Sequence, residues 1–188
     1  MITNIATVVT SSPPDVVLFN LVKKHLRIDV DFIDEDTLIQ SYIDSSVVYC
    51  ENFIGGHITN KTVTISANGF DNPFCFDDFP IRSITSVKYL PGDVTASLVT
   101  MLSADYMLSS KNNKDYMLNF YNSLPATRNR FDAVSIVYEV GYTELPKPLL
   151  QAILLFVGAM YENREDETKT TFQRVSSACN LLYAYKKY

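Results

Sequence analysis

Apolar residues recur with a helical period near the start of the chain. Leu18, Val22 and Leu26 lie four positions apart, which places them on one face of a helix. Apolar positions from Leu38 to Ile54 keep the same period, and three acidic residues at 34–36 lie where its first turn begins. Gly55 follows this second segment, in the position where a helix commonly ends. The pattern therefore predicts two amphipathic helices before residue 57.

The helical period returns after two prolines near the end of the chain. The run from Leu149 to Met160 has no charged residue and is apolar nearly all round. This is typical of a central helix that is packed on several sides. Because a membrane span needs about 20 apolar residues, the run predicts a core helix instead. Charged residues that include Arg164 and Glu165 follow it, and a last helix carries Ala178 and Leu182 on one apolar face.

The middle of the chain has a different pattern. Its apolar segments are short and rich in β-branched and aromatic residues, and turn residues separate them, which predicts a series of hairpins. These segments are residues 62–66, 74–76, 84–90, 105–109, 116–120 and 133–142. The expected fold class is α+β, with a helical frame of about four helices, two N-terminal and two C-terminal, around a strand-rich insertion. The expected divisions are a flexible, irregular arm at 1–14, a helical core at 15–56 and 146–188, and the insertion at 57–145.

Composition narrows the possible functions. The formal net charge is −5, whereas a protein that grips DNA phosphates usually carries an excess of basic residues. Tight DNA binding is therefore disfavoured. The three cysteines, Cys50, Cys75 and Cys179, are scattered and form no motif. This pattern favours reduced thiols in an intracellular setting.

No pattern in the sequence predicts catalysis. The acidic stretch around Asp29 and Asp31 lacks the glycine and the bidentate glutamate of a calcium loop, and is better interpreted as carboxylates at a helix N-terminus. His25 and His57 are the only histidines, and they form no zinc-ligand spacing. We therefore expect no catalytic residue, no metal and no cofactor, and a protein that is not an enzyme.

Two features are candidates for contact with a partner. Arg128 and Arg130 form a small basic spot between two predicted strands. The C-terminus combines aromatic rings with cations, a composition that is enriched in interfaces. Its candidate residues are Tyr183, Tyr185, Lys186 and Lys187. In each case a solvated loop or a frayed end remains the alternative interpretation.

The order of these motifs resembles a known family. The segment "LVKKHLRIDVDFIDEDTLIQSYIDSSVVYCENFIG" looks like the opening of the phage head–tail connector (adaptor) proteins. The segments "PIRSITSVKYL" and "VSIVYEVGYTELPKPLLQAILLFVGAMYENRE" are similar to the longer members, which carry a β insertion. The matching positions include Lys23, His25, Leu26, Arg27, Asp29, Glu51 and Gly55.

The resemblance implies a structural role in the virion. Members form a ring, commonly of twelve subunits, that lies below the portal, extends the DNA channel and docks the tail or its stopper. The partners implied are the portal protein, a tail or stopper protein and other copies of the chain, with DNA passing without tight binding and no membrane. The protein would be in the host cytoplasm during assembly. Arg164 and Glu165 would then form charged pairs with a neighbouring subunit.

A second class of function stays open. A small nucleic-acid-binding or hydrolytic module with a dispersed site would bring four basic residues to one face, beside Asp77 or Asp78. The four are Arg128, Arg130, Lys169 and Arg174. Their convergence in a cleft would favour this alternative over a connector.

Overall fold

Helices form one of two compact units in the computed structural model of the chain, which describes residues 4–11, 16–93, 97–163 and 169–188. The helices are α1 (Val16–Leu26), α2 (Asp36–Ile54), α3 (Lys147–Glu162) and α4 (Lys169–Leu182). A 3-10 turn, Tyr183–Tyr185, follows α4. The predicted α+β class, with helices at both ends of the chain and strands between them, is confirmed.

Helix α3 is the centre of the helical unit, since it contacts each of the other three helices. Leu149, Ile153 and Val157 are fully buried, and the burial of each side chain contributes about 1.5–3 kcal/mol. The prediction that this apolar run forms a core helix is confirmed by that packing. None of the described helices is both long enough and apolar enough to span a lipid bilayer.

Helix α2 ends at the glycine that its sequence predicted. Gly55 adopts a φ of +72°, in the left-handed region that glycine enters without steric cost. Its N–H donates to the carbonyl oxygen of Glu51 at 2.9 Å. The side chain of Glu51 also accepts a hydrogen bond from the N–H of Ile58 at 2.8 Å. The end of the helix and the start of the next segment are therefore fixed by one glutamate.

Eight described strands form the second unit. They are β1 (Asn4–Ser11), β2 (Lys61–Ala67), β3 (Phe74–Phe76), β4 (Ile81–Tyr89), β5 (Val99–Thr100), β6 (Tyr106–Lys111), β7 (Asp115–Phe120) and β8 (Val134–Val140). One sheet has the order β1-β2-β8-β4-β5 and the other has the order β3-β7-β6. Every strand pair in both sheets is antiparallel.

The two sheets share a core of alternating side chains. Val63 and Ile65 on β2 pack with Ile136 and Tyr138 on β8, and the residues between them are more exposed. The ring of Tyr138 lies 4.9 Å from that of Phe76 on β3, centroid to centroid, and so joins the second sheet to this core. Burial along β2 and β8 therefore follows the period of two that is expected of strands with one face in a core.

Residues Asn4–Ser11 differ from the expectation of an irregular, flexible arm. They form β1, which pairs with β2 from Asn4 opposite Ala67 to Ser11 opposite Lys61. The expectation was wrong for this segment because β2 supplies the backbone hydrogen bonds that its sequence does not predict. The remaining residues of the expected arm, 1–3 and 12–14, lie outside the described residues.

A glycine is required where β8 ends. Gly141 has a φ of +99°, and a Cβ at this position would lie 2.2 Å from the carbonyl oxygen of Thr59. Its N–H donates to the carbonyl oxygen of Pro80 at 3.0 Å. The side chain of any other residue would clash with the backbone at Thr59. The end of β8 can therefore pass this close to Thr59 only with glycine at position 141.

Candidate functional site

A buried lysine organises the linker between α1 and α2. Lys23 is only 1% exposed, and its ammonium donates to the carbonyl oxygens of Val30 at 3.1 Å and Phe32 at 2.7 Å. Asp36, the first residue of α2, lies 2.6 Å from the same nitrogen through Oδ1. The ammonium also lies 5.2 Å from the ring centroid of Phe19. A buried charge is tolerated only with such partners, so this one cation fixes the path of the linker.

The acidic residues Glu35 and Asp36, at the start of α2, make tertiary contacts. Glu35 makes no side-chain capping bond, and its Oε2 accepts a hydrogen bond from the hydroxyl of Tyr161 at 2.5 Å. The acceptor ties the linker to the last turns of α3. Asp36 pairs with Lys23, as described above. Asp36 lies in the first turn of α2, as the sequence predicted, and Glu35 and Asp36 also make tertiary contacts that the sequence did not predict.

The C-terminal segment is fixed to the end of α2. The backbone N–H of Lys187 donates to the carbonyl oxygen of Ile54 at 2.8 Å, and that of Lys186 donates to the carbonyl oxygen of Tyr183 at 3.3 Å. The ammonium of Lys186 lies 5.1 Å from the ring centroid of Phe53. The candidate residues at the C-terminus therefore belong to a defined surface, and they are anchored through their backbone.

Aromatic rings continue this surface along α2. Tyr183 packs edge-on against Phe53, with ring centroids 5.2 Å apart, and Tyr49 lies one turn before Phe53. The ring of Tyr49 also contacts Phe156 on α3 at 4.7 Å between centroids. Its hydroxyl lies 3.7 Å from Sγ of Cys179, and this contact raises the pKa of Tyr49. Because Tyr49 and Tyr183 remain about half exposed, the row of rings faces solvent.

Arg128 and Arg130 both have partners within the chain. The guanidinium of Arg128 donates to the carbonyl oxygen of Asp93 at 2.6 Å, and its backbone N–H donates to the carbonyl oxygen of Leu90 at 3.0 Å. The guanidinium of Arg130 makes two hydrogen bonds to the carboxylate of Asp132, one of them at 2.7 Å. The two arginines therefore hold loops of the β unit, although Arg130 remains half exposed.

The other predicted contact residues cannot be placed. Arg164 and Glu165 lie outside the described residues, one step beyond Asn163, which follows the end of α3. Lys169 and Arg174 belong to α4, where the structure describes the backbone and not these side chains. The four basic residues of the alternative function are thus divided between the two units.

Asp78, one of the two carboxylates considered for a hydrolytic site, accepts a hydrogen bond from a core tyrosine. The hydroxyl of Tyr138 donates to Oδ2 of Asp78. Tyr138 is fully buried, and burial, with the charge of Asp78, raises the pKa of this phenol well above its usual range. The tyrosine therefore remains a neutral hydrogen-bond donor, and Asp78 fixes it in the core.

The described residues contain no group of three or more histidines, cysteines, aspartates or glutamates that could hold a metal ion. At the candidate calcium loop, Oδ1 of Asp29 accepts a hydrogen bond from the N–H of Asp31 at 3.3 Å, which is the geometry of a local turn. Cys50 is buried, and desolvation raises its pKa to about 12. Such a thiol stays protonated near neutral pH and is a poor nucleophile.

Sequence reasoning missed the central role of Lys23. The sequence singled out this residue as one of the positions that resemble a known family. A sharper signal was available, because Lys23 lies four positions after Phe19, beside the apolar face of α1. A cation in that position, followed by a carboxylate at Asp36, is a pattern that a buried ion pair would produce.

The comparisons with known proteins agree with the fold described above. The model of the phage gp6-like head-tail connector proteins matches residues 20–130. No curated protein matches the sequence significantly. A chain from the neck of an empty GTA particle, computed with C6 symmetry, superposes with a TM-score of 0.71 at 15% identity, covering 96% of each chain.

Two other solved structures give similar values. A chain from the virion of a native gene transfer agent (GTA) particle has a TM-score of 0.71 at 16% identity, covering 96% of this chain and 95% of that one. A chain from the neck of a native GTA particle, computed with C12 symmetry, has a TM-score of 0.65 at 15% identity and covers 96% of each. At this level of identity the likeness concerns the fold, and it extends over both units.

Proposed function

This chain belongs to the family of phage gp6-like head-tail connector proteins, and from that premise we propose that it forms a ring below the portal of a tailed phage. The role of the chain is structural, that of a head-tail connector or adaptor. In the proposed arrangement the ring extends the DNA channel and docks the tail or its stopper. The observation that carries this proposal is the family match over residues 20–130.

The number of subunits is proposed to be twelve. Two of the structures with a similar fold are particle necks that were computed with C6 and C12 symmetry. A ring needs two different surfaces on each subunit, because a head-to-tail interface closes only when unlike patches meet. The proposed location is the virion, with assembly in the host cytoplasm.

The charge of the chain supports the proposed passage of DNA. A net charge of −5 leaves no excess of cations to neutralise phosphates, and tight binding along the channel would oppose movement of the DNA. The proposed role requires no catalysis, metal or cofactor. The proposed partners are the portal protein, the tail or stopper protein and further copies of this chain.

The proposed contact surfaces are the C-terminal segment, the loop of Arg128 and Arg130, and the charged residues Arg164 and Glu165. The C-terminal segment has the strongest support, because a backbone hydrogen bond holds Lys187 against the end of α2 and the ammonium of Lys186 lies over the ring of Phe53. A fixed aromatic and cationic surface loses little conformational freedom on binding.

Electron microscopy of the purified chain mixed with the portal protein of the same phage tests the ring. We expect a twelvefold density added to one end of the portal. A chain that neither binds the portal nor adds a ring to it would contradict the proposal. Salt-dependent DNA binding by the isolated monomer would instead support the nucleic-acid-binding alternative.

A further inference from the structure

The linker between α1 and α2 exposes three apolar side chains within four positions. Val30 is 43% exposed, Phe32 41% and Ile33 70%. We name these three residues the linker patch. Single exposed apolar residues are common on protein surfaces, but several of them within one short loop mark an interaction site more often.

The linker patch is held in a fixed conformation. The buried ammonium of Lys23 binds the carbonyl oxygens of Val30 and Phe32, so the backbone of two of the three patch residues is fixed by the interior of the helical unit. Burying a cation carries a desolvation cost that an exposed polar linker would not need. A rigid apolar loop loses less entropy when it binds than a mobile one. The construction therefore favours a binding surface over an ordinary connection.

Acidic residues surround the linker patch. Asp29, Asp31 and Asp34 are all exposed, and they alternate with the apolar residues along the linker. The ammonium of Lys23 lies beneath the loop and donates to its carbonyl oxygens. The surface that meets a partner is therefore apolar at its centre and negative at its rim.

A second apolar surface, with positive in place of negative charge, lies at the other end of α2. It consists of exposed or half-buried aromatic rings and two half-buried lysines, and we name it the C-terminal patch. Its members are Tyr49, Phe53, Tyr183, Lys186, Lys187 and Tyr188. Tyr188 is 93% exposed, and the ammonium of Lys186 lies 5.5 Å from its ring centroid. This surface is apolar and positive, and it complements the linker patch in both respects.

The two patches of one chain cannot meet each other. The linker patch precedes the first residue of α2, and the C-terminal patch surrounds its last turns. Helix α2 rises by roughly 20 Å at 1.5 Å per residue between its first residue, Asp36, and Tyr49, the first member of the C-terminal patch along it. The complementary surface that each patch needs is therefore available only on another molecule.

We infer that the linker patch of one copy of this chain docks on the C-terminal patch of a second copy. The interface is head-to-tail, because the two surfaces are different, and its repetition gives a closed ring or an open helix according to the rotation between copies. This inference rests on the proposed ring and assigns two surfaces to it. Phe32 and Ile33 enter the row of rings, and the aspartates face Lys186 and Lys187.

A mixing experiment tests the inference directly. The first variant, Ile33→Asp, damages the linker patch and leaves the C-terminal patch intact. The second, Lys187→Glu with Tyr188→Asp, does the reverse. All three positions have side chains on the surface or at its edge, so we expect both variants to fold, which circular dichroism verifies. Sedimentation velocity up to millimolar concentration then measures association of each variant alone and of their equimolar mixture.

Each variant alone is expected to associate at least about tenfold more weakly than the unmodified chain. The mixture is expected to form dimers, because the intact linker patch of one variant meets the intact C-terminal patch of the other. Leu102→Asp is the matched control, since Leu102 is 71% exposed, as Ile33 is at 70%, and lies in the β unit. It should associate as the unmodified chain does.

The outcomes separate this interface from the ring itself. Variants that still assemble like the unmodified chain, or a mixture that stays monomeric, would overturn the inferred interface and leave the connector ring standing. An unmodified chain that forms no assembly alone and none on the portal would count against both.

Discussion

Replacement of Lys23 by methionine is expected to lower the free energy of unfolding of the helical unit by about 2–4 kcal/mol. The substitution removes the ammonium and keeps a flexible apolar stem of similar length, so little cavity is created. Three partners lose their cation: the carboxylate of Asp36 at 2.6 Å and the carbonyl oxygens of Val30 and Phe32.

The magnitude follows from the exposure of these partners. Hydrogen bonds to a charged group contribute about 1.5–3 kcal/mol each, and removal of one member of a buried ion pair costs about 3–5 kcal/mol. Asp36 is 35% exposed in its side chain, and the linker backbone lies at the surface, so water replaces part of the lost interaction. The expected cost therefore lies below the sum of these values.

The assay is urea denaturation followed by the helical circular dichroism signal. Lys24→Met is the matched control, because Lys24 is the next residue of α1 and is exposed; its effect should stay within about 0.5 kcal/mol. Amide hydrogen exchange at residues 29–35 should also become faster in Lys23→Met alone. Equal stability of the two variants would refute the argument that the buried ammonium holds the linker.

Two further predictions concern the β unit. Gly141→Ala should cost about 3 kcal/mol or more in thermal unfolding, because a Cβ would lie 2.2 Å from a carbonyl oxygen at positive φ; Gly92→Ala, where the nearest atom would be 3.8 Å away, should have little effect. The hydrogen bond and charge of Arg82 lower the pKa of Glu139. The ion pair therefore contributes its full stabilisation at pH values above the ordinary glutamate pKa of about 4.3. This contribution is lost as the pH falls through the lower pKa that Glu139 has in the folded state. The stability difference between Arg82→Ala and the unmodified chain should shrink in acid, and a constant difference would contradict this.

The sequence predicted those elements whose signal is local. The second helix ends at Gly55 because a left-handed residue is a local requirement, and β2 and β8 were predicted from short segments rich in β-branched and aromatic residues. The short strand β5 was missed, since its two residues are exposed and gain their structure only by pairing with β4. The strand β1 was missed for the same physical reason, because its partner residues lie fifty or more positions along the chain.

The candidate surfaces were predicted only in part. The composition of the C-terminus indicated a surface of rings and cations, but its attachment to Ile54 depends on a tertiary hydrogen bond that no pattern reports. Arg130 was selected for its charge, whereas the structure pairs it with Asp132 two positions away. The linker patch was not recognised, because the acidic residues between its apolar members gave the segment the appearance of an ordinary polar connection.

The interleaving of the two units along the chain has a consequence for biosynthesis. One unit contains Met1–Ser12 and Thr59–Thr143, and the other contains Pro13–Ile58 and Glu144–Tyr188, so each is interrupted by part of the other. As the chain leaves the ribosome, α1 and α2 emerge long before α3, the helix on which they pack. Their apolar faces must therefore wait for the last quarter of the polypeptide, and this interval is when the nascent protein is most exposed to aggregation and most dependent on chaperones.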